Sequence, residues 1–196
     1  MSEETEPDPA EHFNAALDAL DSGDTPRAMA ELERVVSLTP DDDEAVLLLA
    51  RAERDLGFIE RADARLCRSV EERPEALDAF VELADLRLSQ GAPGEAAQLV
   101  AKVLEERPNH FDSLFLLGNA FLDVGAHEEA AKAYRASLEV NPFSAQAWYN
   151  LGKSEEGAGD TSRAVSAFRA YLRAAPKAED ALEVQRRIAL LEGDKG

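Results

Sequence analysis

Apolar side chains recur along this chain with the spacing of amphipathic helices. In segments 112–123 and 128–140 they stand at i, i+3, i+4 and i+7, which places them on one face of a helix. Gly125 lies between the two segments, and Pro142 follows the second. The pattern therefore predicts two helices joined by a tight turn and stopped by a proline.

The same pattern returns every 34 residues. Glycine, alanine and proline recur in one phase, at Gly23, Gly57, Gly91, Gly125 and Gly159, at Ala28, Ala62, Ala96, Ala130 and Ala164, and at Pro40, Pro74, Pro108, Pro142 and Pro176. With the proline at position 32, five repeats span 9–42, 43–76, 77–110, 111–144 and 145–178. One helix pair cannot bury its apolar face alone, so the repeats are expected to stack.

Each recurring residue has a physical role in such a unit. The glycine at position 15 accommodates the positive φ that ends the first helix in a tight turn. In the first repeat, Thr25-Pro26 offers an N-cap followed by a proline at the first helical position. The alanine lets the two helices approach closely, and the final proline ends the second helix because it lacks an N–H donor.

The segments outside the repeats have different patterns. Residues 179–192 carry Ala181, Val184, Ile188 and Leu191 between charged residues, which predicts a helix that caps the array. Residues 1–8 are acidic and interrupted by proline, so we expect a disordered lead, and residues 193–196 form a polar tail.

Two repeats carry a recognisable combination of residues. The fifth has Trp148, Leu151, Gly152, Gly159, Ala164, Phe168 and Pro176, and the fourth has Leu117, Gly118, Phe121, Gly125, Ala130, Tyr134 and Pro142. The chain thereby resembles the tetratricopeptide repeat (TPR) family. The earlier repeats depart from the family pattern, with His12, Val46 and Phe80 where it favours Trp and with Ala19, Glu53 and Arg87 where it favours Tyr. The resemblance implies an all-α fold, a right-handed superhelical solenoid of five helix-turn-helix repeats with a C-terminal capping helix.

The charge balance limits the classes of partner. Lys and Arg number 21 against 40 Asp and Glu, a net charge of -19, which repels phosphate backbones and anionic lipid. We therefore expect no nucleic-acid partner. No stretch approaches 18 uninterrupted apolar residues and the N-terminus has no basic and apolar leader, so no membrane insertion is expected. Cys67 is the only cysteine, which favours a reducing, cytoplasmic location.

The sequence shows none of the motifs that carry enzyme chemistry. His12, His110 and His127 lack the spacing of metal ligands, and there is no HExxH motif or Cys/His cluster. No phosphate-binding GxxxxGK or GxGxxG loop and no GxSxG nucleophile motif occurs. We therefore expect a non-enzymatic protein without metal or cofactor.

The TPR resemblance implies a concave ligand groove lined by first-helix positions 2, 5, 6, 9, 12 and 13. The candidate binding residues at these positions are Phe13, Leu17, Leu47, Arg51, Arg54, Val81, Phe115, Asn119, Leu122, Tyr149, Asn150 and Lys153. Position 5 is apolar in every repeat, and such a stripe suits an extended peptide or an amphipathic helix. The alternative is that position 5 packs partly against the neighbouring helix.

Amide and charged groups refine the expected ligand. The resemblance implies that Asn119 and Asn150 hold a ligand backbone, since an amide offers both a donor and an acceptor. The family's clamp for chaperone C-termini needs basic residues where this chain has Phe115, Asp180 and Val184, so a full clamp is not expected. A smaller basic end formed by Lys153, Arg186 and Arg187 remains open.

The groove positions as a whole are acidic. They carry nine acidic and three basic side chains, which favours a basic and apolar ligand whose attraction weakens with salt. The leading hypothesis is a non-enzymatic TPR adaptor or scaffold that binds a peptide or helix of a partner protein and helps assemble a complex. The alternatives are a self-assembling structural TPR protein, hence a homo-oligomer, or a co-chaperone-like module. Use of the concave or the convex face also stays open.

Overall fold

The computed structural model describes residues 8–193, which form eleven α-helices and no strand. The chain divides into two compact units, Met1–Leu83 and Ala84–Gly196, with the boundary inside α5. The helices up to the boundary are α1 (Pro9–Asp21), α2 (Thr25–Leu38), α3 (Asp43–Asp55), α4 (Ile59–Glu72) and α5 (Leu77–Ser89). Those after it are α6 (Pro93–Glu106), α7 (Phe111–Asp123), α8 (His127–Val140), α9 (Ala145–Gly157), α10 (Thr161–Ala174) and α11 (Ala181–Gly193).

Tight glycine turns join the two helices of each pair, as expected. Gly23 has φ 76°, in the left-handed region, and the glycines of the four equivalent turns behave alike. The predicted N-cap at Thr25 is wrong by one residue. Asp24 is the cap, because its carboxylate accepts a hydrogen bond from the Arg27 backbone N–H at 3.2 Å, and Thr25 is the first helical residue.

The ends of the described chain differ slightly from the pattern. Asp8, which the pattern placed in the lead, caps α1 by accepting a hydrogen bond from the Ala10 N–H at 2.9 Å. Helix α11 buries Val184 and Ile188 in a cluster that includes Phe168. The rest of the expected lead, residues 1–7, and of the tail, residues 194–196, lies outside the described residues.

The side-chain sizes at positions 8 and 24 of the repeats vary together, so that a smaller residue at position 8 accompanies a larger residue at position 24. The first three repeats have alanine at position 8 and an aliphatic residue at position 24, as with Ala16 and Leu32, and both are fully buried. The fifth repeat has Gly152 and Phe168 there, and a Cβ on Gly152 would lie 2.6 Å from the Phe168 ring. The fourth repeat has the same arrangement with Gly118 and Tyr134. Glycine at position 8 therefore makes room for the aromatic ring.

Two repeats bury a glutamate at position 11. Glu53 is 0% exposed, and its carboxylate receives two hydrogen bonds from Arg65, at 2.8 and 3.0 Å, and an ion pair from Arg61 at 3.0 Å. Glu155 is 3% exposed and pairs with Arg135 at 3.1 Å. A buried carboxylate is tolerated only when a cation or donors satisfy it, so these arginines are integral to the two repeats.

Candidate functional site

Asn119 of α7 and Asn150 of α9 contact each other through their amides. Asn150 Nδ2 donates to Asn119 Oδ1 at 3.2 Å, and the Tyr134 hydroxyl donates to the same oxygen at 2.6 Å. Asn150 is 8% exposed, and its Oδ1 accepts from Gln146 Nε2 at 3.2 Å. Asn150 is thus occupied by internal bonds, whereas the half-buried Asn119 keeps an Nδ2 group that donates to no residue in the described range.

The hydroxyl that holds Asn119 is fixed in its donor form. Burial raises the pKa of Tyr134 above its usual range, so the phenol stays protonated at neutral pH. Burial, followed by the hydrogen bond to Asp180, likewise raises the pKa of Tyr171 to about 12. The Tyr171 hydroxyl donates to Asp180, so this acid at one of the predicted clamp positions is already engaged.

Aromatic rings flank the amide pair. The Phe115 ring meets the Tyr134 ring edge to face at 5.7 Å and stacks on Phe111 at 6.0 Å. Tyr149 contacts the rings of Phe168 and Tyr171 at 5.9 and 5.3 Å. Phe115, Tyr149 and the nearby Leu122 are all half-buried. The Phe115 and Tyr149 rings at position 5 therefore pack on neighbouring rings and also retain accessible surface. The two interpretations of position 5, an accessible apolar stripe and packing against a neighbouring helix, each hold in part.

Basic groups next to Tyr149 differ in their availability. Lys153 Nζ lies 5.9 Å from the centroid of the Tyr149 ring and forms no ion pair with a described residue. Arg187 lies over the Phe168 ring at 5.5 Å and pairs with Glu156 at 2.6 Å. Of the three residues expected at a basic end, Arg187 is therefore neutralised, while Arg186 is exposed on α11.

The candidate residues of the unit Met1–Leu83 lie on the first helices α1, α3 and α5. Phe13 packs against the buried cluster of Ala16, Leu32 and Leu49, and it is half-buried like Leu47 and Val81. Leu17 is exposed. The position-5 residues of this unit thus share the intermediate burial of Phe115 and Tyr149.

The two arginines predicted for this surface are engaged by an acid. Glu82 pairs with Arg51 and lies 3.8 Å from Arg54, and Arg54 also approaches Asp55 at 4.0 Å. A single carboxylate on α5 thus draws together the two cations of α3. Two of the three basic groove residues are thus already close to an acid, so less positive charge is available to a ligand than the count of three suggests.

Sequence reasoning missed a set of arginines on the second helices. Arg61, Arg65, Arg68 and Arg73 line a pocket of about 350 Å³ within the first unit. The departure from the family pattern at Val46 and Glu53 was the signal that pointed there.

Two features are absent from residues 8–193. No group of three or more His, Cys, Asp or Glu side chains is arranged to hold a metal. No helix in this range has the length and apolarity to cross a membrane.

Comparison with known proteins identifies the family. A family model described as tetratricopeptide repeat matches residues 13–62, 47–111 and 115–179, which is most of the chain. This chain belongs to the tetratricopeptide repeat family. None of the curated proteins matches the sequence. TPR domains bind other proteins and are generally non-catalytic, so the TPR fold is consistent with a protein-interaction scaffold.

Solved structures share the TPR fold at low identity. A crystal structure of MamA protein has 21% identity and a TM-score of 0.70, over 86% of this chain and 92% of that chain. MamA from Desulfovibrio magneticus has 18% identity and a TM-score of 0.74, over 87% of this chain and 97% of that chain. A thermophilic TPR protein from Thermus thermophilus has 18% identity and a TM-score of 0.73, over 94% and 98% of the two chains. The predicted fold class, an all-α array of TPR helix pairs, is confirmed.

Proposed function

We propose that this TPR protein is a non-enzymatic adaptor that binds a peptide or amphipathic helix of a partner protein on the first helices of its fourth and fifth repeats. The observation that carries the proposal is Asn119, whose Oδ1 is fixed by Tyr134 and Asn150 while its Nδ2 remains unused. A fixed amide donor binds a backbone carbonyl with little loss of side-chain entropy on binding. Cytoplasmic location, expected from the single thiol of Cys67, is part of this proposal.

The side chains around Asn119 indicate the ligand's chemistry. Phe115 lies one helical turn before Asn119, and both contact Tyr134, so an apolar side chain next to the bound carbonyl meets an aromatic ring. Asp112 and Asp123 are exposed on the same helix and make no ion pair within residues 8–193. A ligand that alternates apolar and basic side chains fits these groups, and we expect its affinity to fall with salt.

The test is a selection of random twelve-residue peptides on the immobilised protein, followed by affinity measurement of the selected peptides. We expect enrichment of Lys, Arg and apolar residues. Phe115→Ala should weaken the selected peptides about ten-fold or more, the range of a central aromatic contact. Asn119→Asp should weaken them several-fold, because the aspartate keeps the acceptor for Tyr134 but loses the Nδ2 donor.

The matched control is Phe143→Ala. Phe143 is 86% exposed in the loop before α9, so the substitution also removes an aromatic ring but lies outside the candidate surface. Thermal melting verifies that each variant is folded. Selected peptides that bind Phe115→Ala and Asn119→Asp as tightly as the wild type would refute the proposal.

A second candidate, self-assembly, is favoured by one observation on the terminal helix. Leu190 of α11 is 73% exposed, and Leu182 of the same helix is also exposed. Exposed leucines on a terminal helix can associate with another copy. Light scattering against concentration tests this: self-assembly predicts a mass that rises above one chain and returns to one chain in Leu182→Glu/Leu190→Glu, and a constant mass of one chain excludes it.

The residues at the three clamp positions do not favour the co-chaperone-like alternative. The positions that would need cations hold the ring of Phe115, the buried Val184 and the engaged Asp180. The adaptor proposal therefore does not include a chaperone C-terminus as ligand.

A further inference from the structure

Helix α11 has the residue pattern of a first helix. Counted from Glu179 as position 1, the 34-residue phase places Leu182 at position 4 and Gly193 at position 15, where the five turn glycines stand in the complete repeats. Within residues 8–193, α11 packs on α10, and no second helix follows it. In this range α11 therefore lacks the second helix that covers the first helix of a complete repeat.

The complete repeats show which face of a first helix the second helix covers. In the first repeat, Ala16 and Ala19 at positions 8 and 11 are both 0% exposed, and Ala16 packs in a cluster with Leu32 of α2. The same two positions in α11 are Arg186 and Ala189, and both are exposed. The face of α11 that a second helix would cover is thus open.

The open face carries apolar side chains on both sides of a central arginine. Leu182 and Leu190, which are 59% and 73% exposed, stand four residues before and four residues after Arg186, on the same side of the helix. Glu183 is exposed at the edge of this face. Neither Glu183 nor Arg186 forms an ion pair within residues 8–193. The face therefore offers two leucines and one available charge of each sign.

These groups complement a second copy of the same helix. The two helices of a repeat run antiparallel, and a twofold axis at Arg186 would set α11 of a second copy antiparallel to the first in the same way. Leu182 then meets Leu190 of the second copy, and Glu183 lies within reach of Arg186 of the second copy. Each contact is made twice, and the two acids balance the two arginines near the axis.

The distribution of charge also favours a second copy at this place. The whole chain has a net charge of -19, which makes most contacts between copies repulsive. Residues 181–193 hold two acidic and two basic side chains, so α11 has no net charge. The neighbouring helix α10 contains three arginines and no acid. Two copies can thus approach through α11 without the repulsion that the rest of the chain would impose.

We propose that the open face of α11 is a homodimer interface, in which α11 of a second copy takes the place of the missing second helix. The leucine contacts supply apolar burial, and the pairs of Glu183 with Arg186 fix the antiparallel register. The inference rests on the self-assembly candidate above. It specifies the contact and limits the assembly to two chains, because a twofold contact is closed. One helix pair is a small interface, so the dimer is weak and forms with rising concentration.

Sedimentation of the full chain from about 10 µM to about 1 mM, the range of weak association, tests the proposal. We expect the mass to rise from one chain and to level off at two. Arg186→Glu makes both charges at the interface acidic and Glu183→Arg makes both basic, so each variant alone should dimerise at least about ten-fold more weakly. An equimolar mixture of the two variants should dimerise again, since each then meets the opposite charge.

The matched control is Arg173→Glu, which reverses an exposed arginine of α10 outside the open face and should leave the dimer unchanged. Glu183 and Arg186 are exposed, so both variants are expected to fold, and thermal melting verifies it. Recovery in the mixture also separates charge pairing from damage to the fold, because a misfolded helix would not regain its partner.

Distinct outcomes would overturn the proposal. A constant mass of one chain would exclude a second copy as the occupant, together with the self-assembly candidate, and would leave the face to a helix of another protein. A mass that rises beyond two chains, a dimer that both single variants leave unchanged, or a mixture that stays at one chain would overturn this interface while self-assembly stands. Peptide binding at Phe115 and Asn119 is measured separately, so the adaptor proposal does not depend on the result.

Discussion

The second and fifth repeats share a buried glutamate but differ in what surrounds it. Glu53 takes its cations from α4 of its own repeat, whereas Glu155 takes Arg135 from α8 of the preceding repeat. Position 4 of the fifth repeat is the half-buried Trp148, whereas position 4 of the second repeat is Val46, which is 5% exposed. On the same repeat backbone, the same buried acid is thus satisfied by arginines that come from different helices.

The largest effect we expect is from removing the cation of the fifth repeat. Arg135→Ala leaves Glu155 without a cation in the described chain, and an unpaired buried charge costs several kcal/mol. Because 40% of the Arg135 side chain is exposed, we expect a loss of about 3 kcal/mol in the free energy of unfolding, the low end of that range. Urea denaturation measures it, and Arg135→Ala/Glu155→Leu should recover most of the loss.

Truncating Trp148 of the fifth repeat to the valine of the second repeat should cost less. Trp148→Val removes a half-buried indole and its hydrogen bond to Pro142, so we expect a loss of about 2 kcal/mol. Denaturation measures the loss. A variant as stable as the wild type would show that the indole and its hydrogen bond contribute no stability.

The glycine at position 8 separates the fourth and fifth repeats from the first three. Gly152→Ala places a Cβ 2.6 Å from the Phe168 ring, and overpacking of this kind costs about 1–3 kcal/mol. Gly152→Ala/Phe168→Leu recreates the alanine and leucine of the first repeat and should recover part of the loss in denaturation measurements. A single variant as stable as the wild type would mean that the ring moves without cost.

The smallest effect is expected at the second cation of Glu53. Arg61→Ala leaves the two hydrogen bonds from Arg65 in place, and nearly half of the Arg61 side chain is exposed. The loss should therefore stay below about 1 kcal/mol, as for other exposed ion pairs. A loss as large as that of Arg135→Ala would show that Glu53 depends on both arginines.

The helix pairs could be predicted from the sequence because they depend on local signals. The 34-residue phase of glycine and proline marks turns and helix ends, and each acts through its own backbone geometry. The error in the predicted N-cap, Thr25 in place of Asp24, was also local, because Asp24 is another good capping residue one position earlier in the chain. Phe115 and Tyr149 at position 5 are half-buried, so each is partly packed against its neighbours and partly accessible, as the two interpretations of that position expected.

Charge pairing could not be predicted in this way. Arg51 and Arg54 reach Glu82 about one repeat later, and Asn150 reaches Asn119 in the preceding repeat, so each contact depends on how helices pack. The sequence marked Val46 and Glu53 as departures from the family, but it did not show that arginines of α4 surround them. Such pairs emerge only when side chains from different helices are placed together.

The most direct test of the adaptor account is an NMR titration of the ¹⁵N-labelled protein with a selected basic and apolar peptide. Asparagine side-chain amides give their own signals, so the unused Nδ2 group of Asn119 reports ligand contact directly. The account predicts that the Asn119 side-chain signals shift on saturation and that Phe115→Ala greatly reduces the shift. A peptide that binds while those signals remain in place would contradict it.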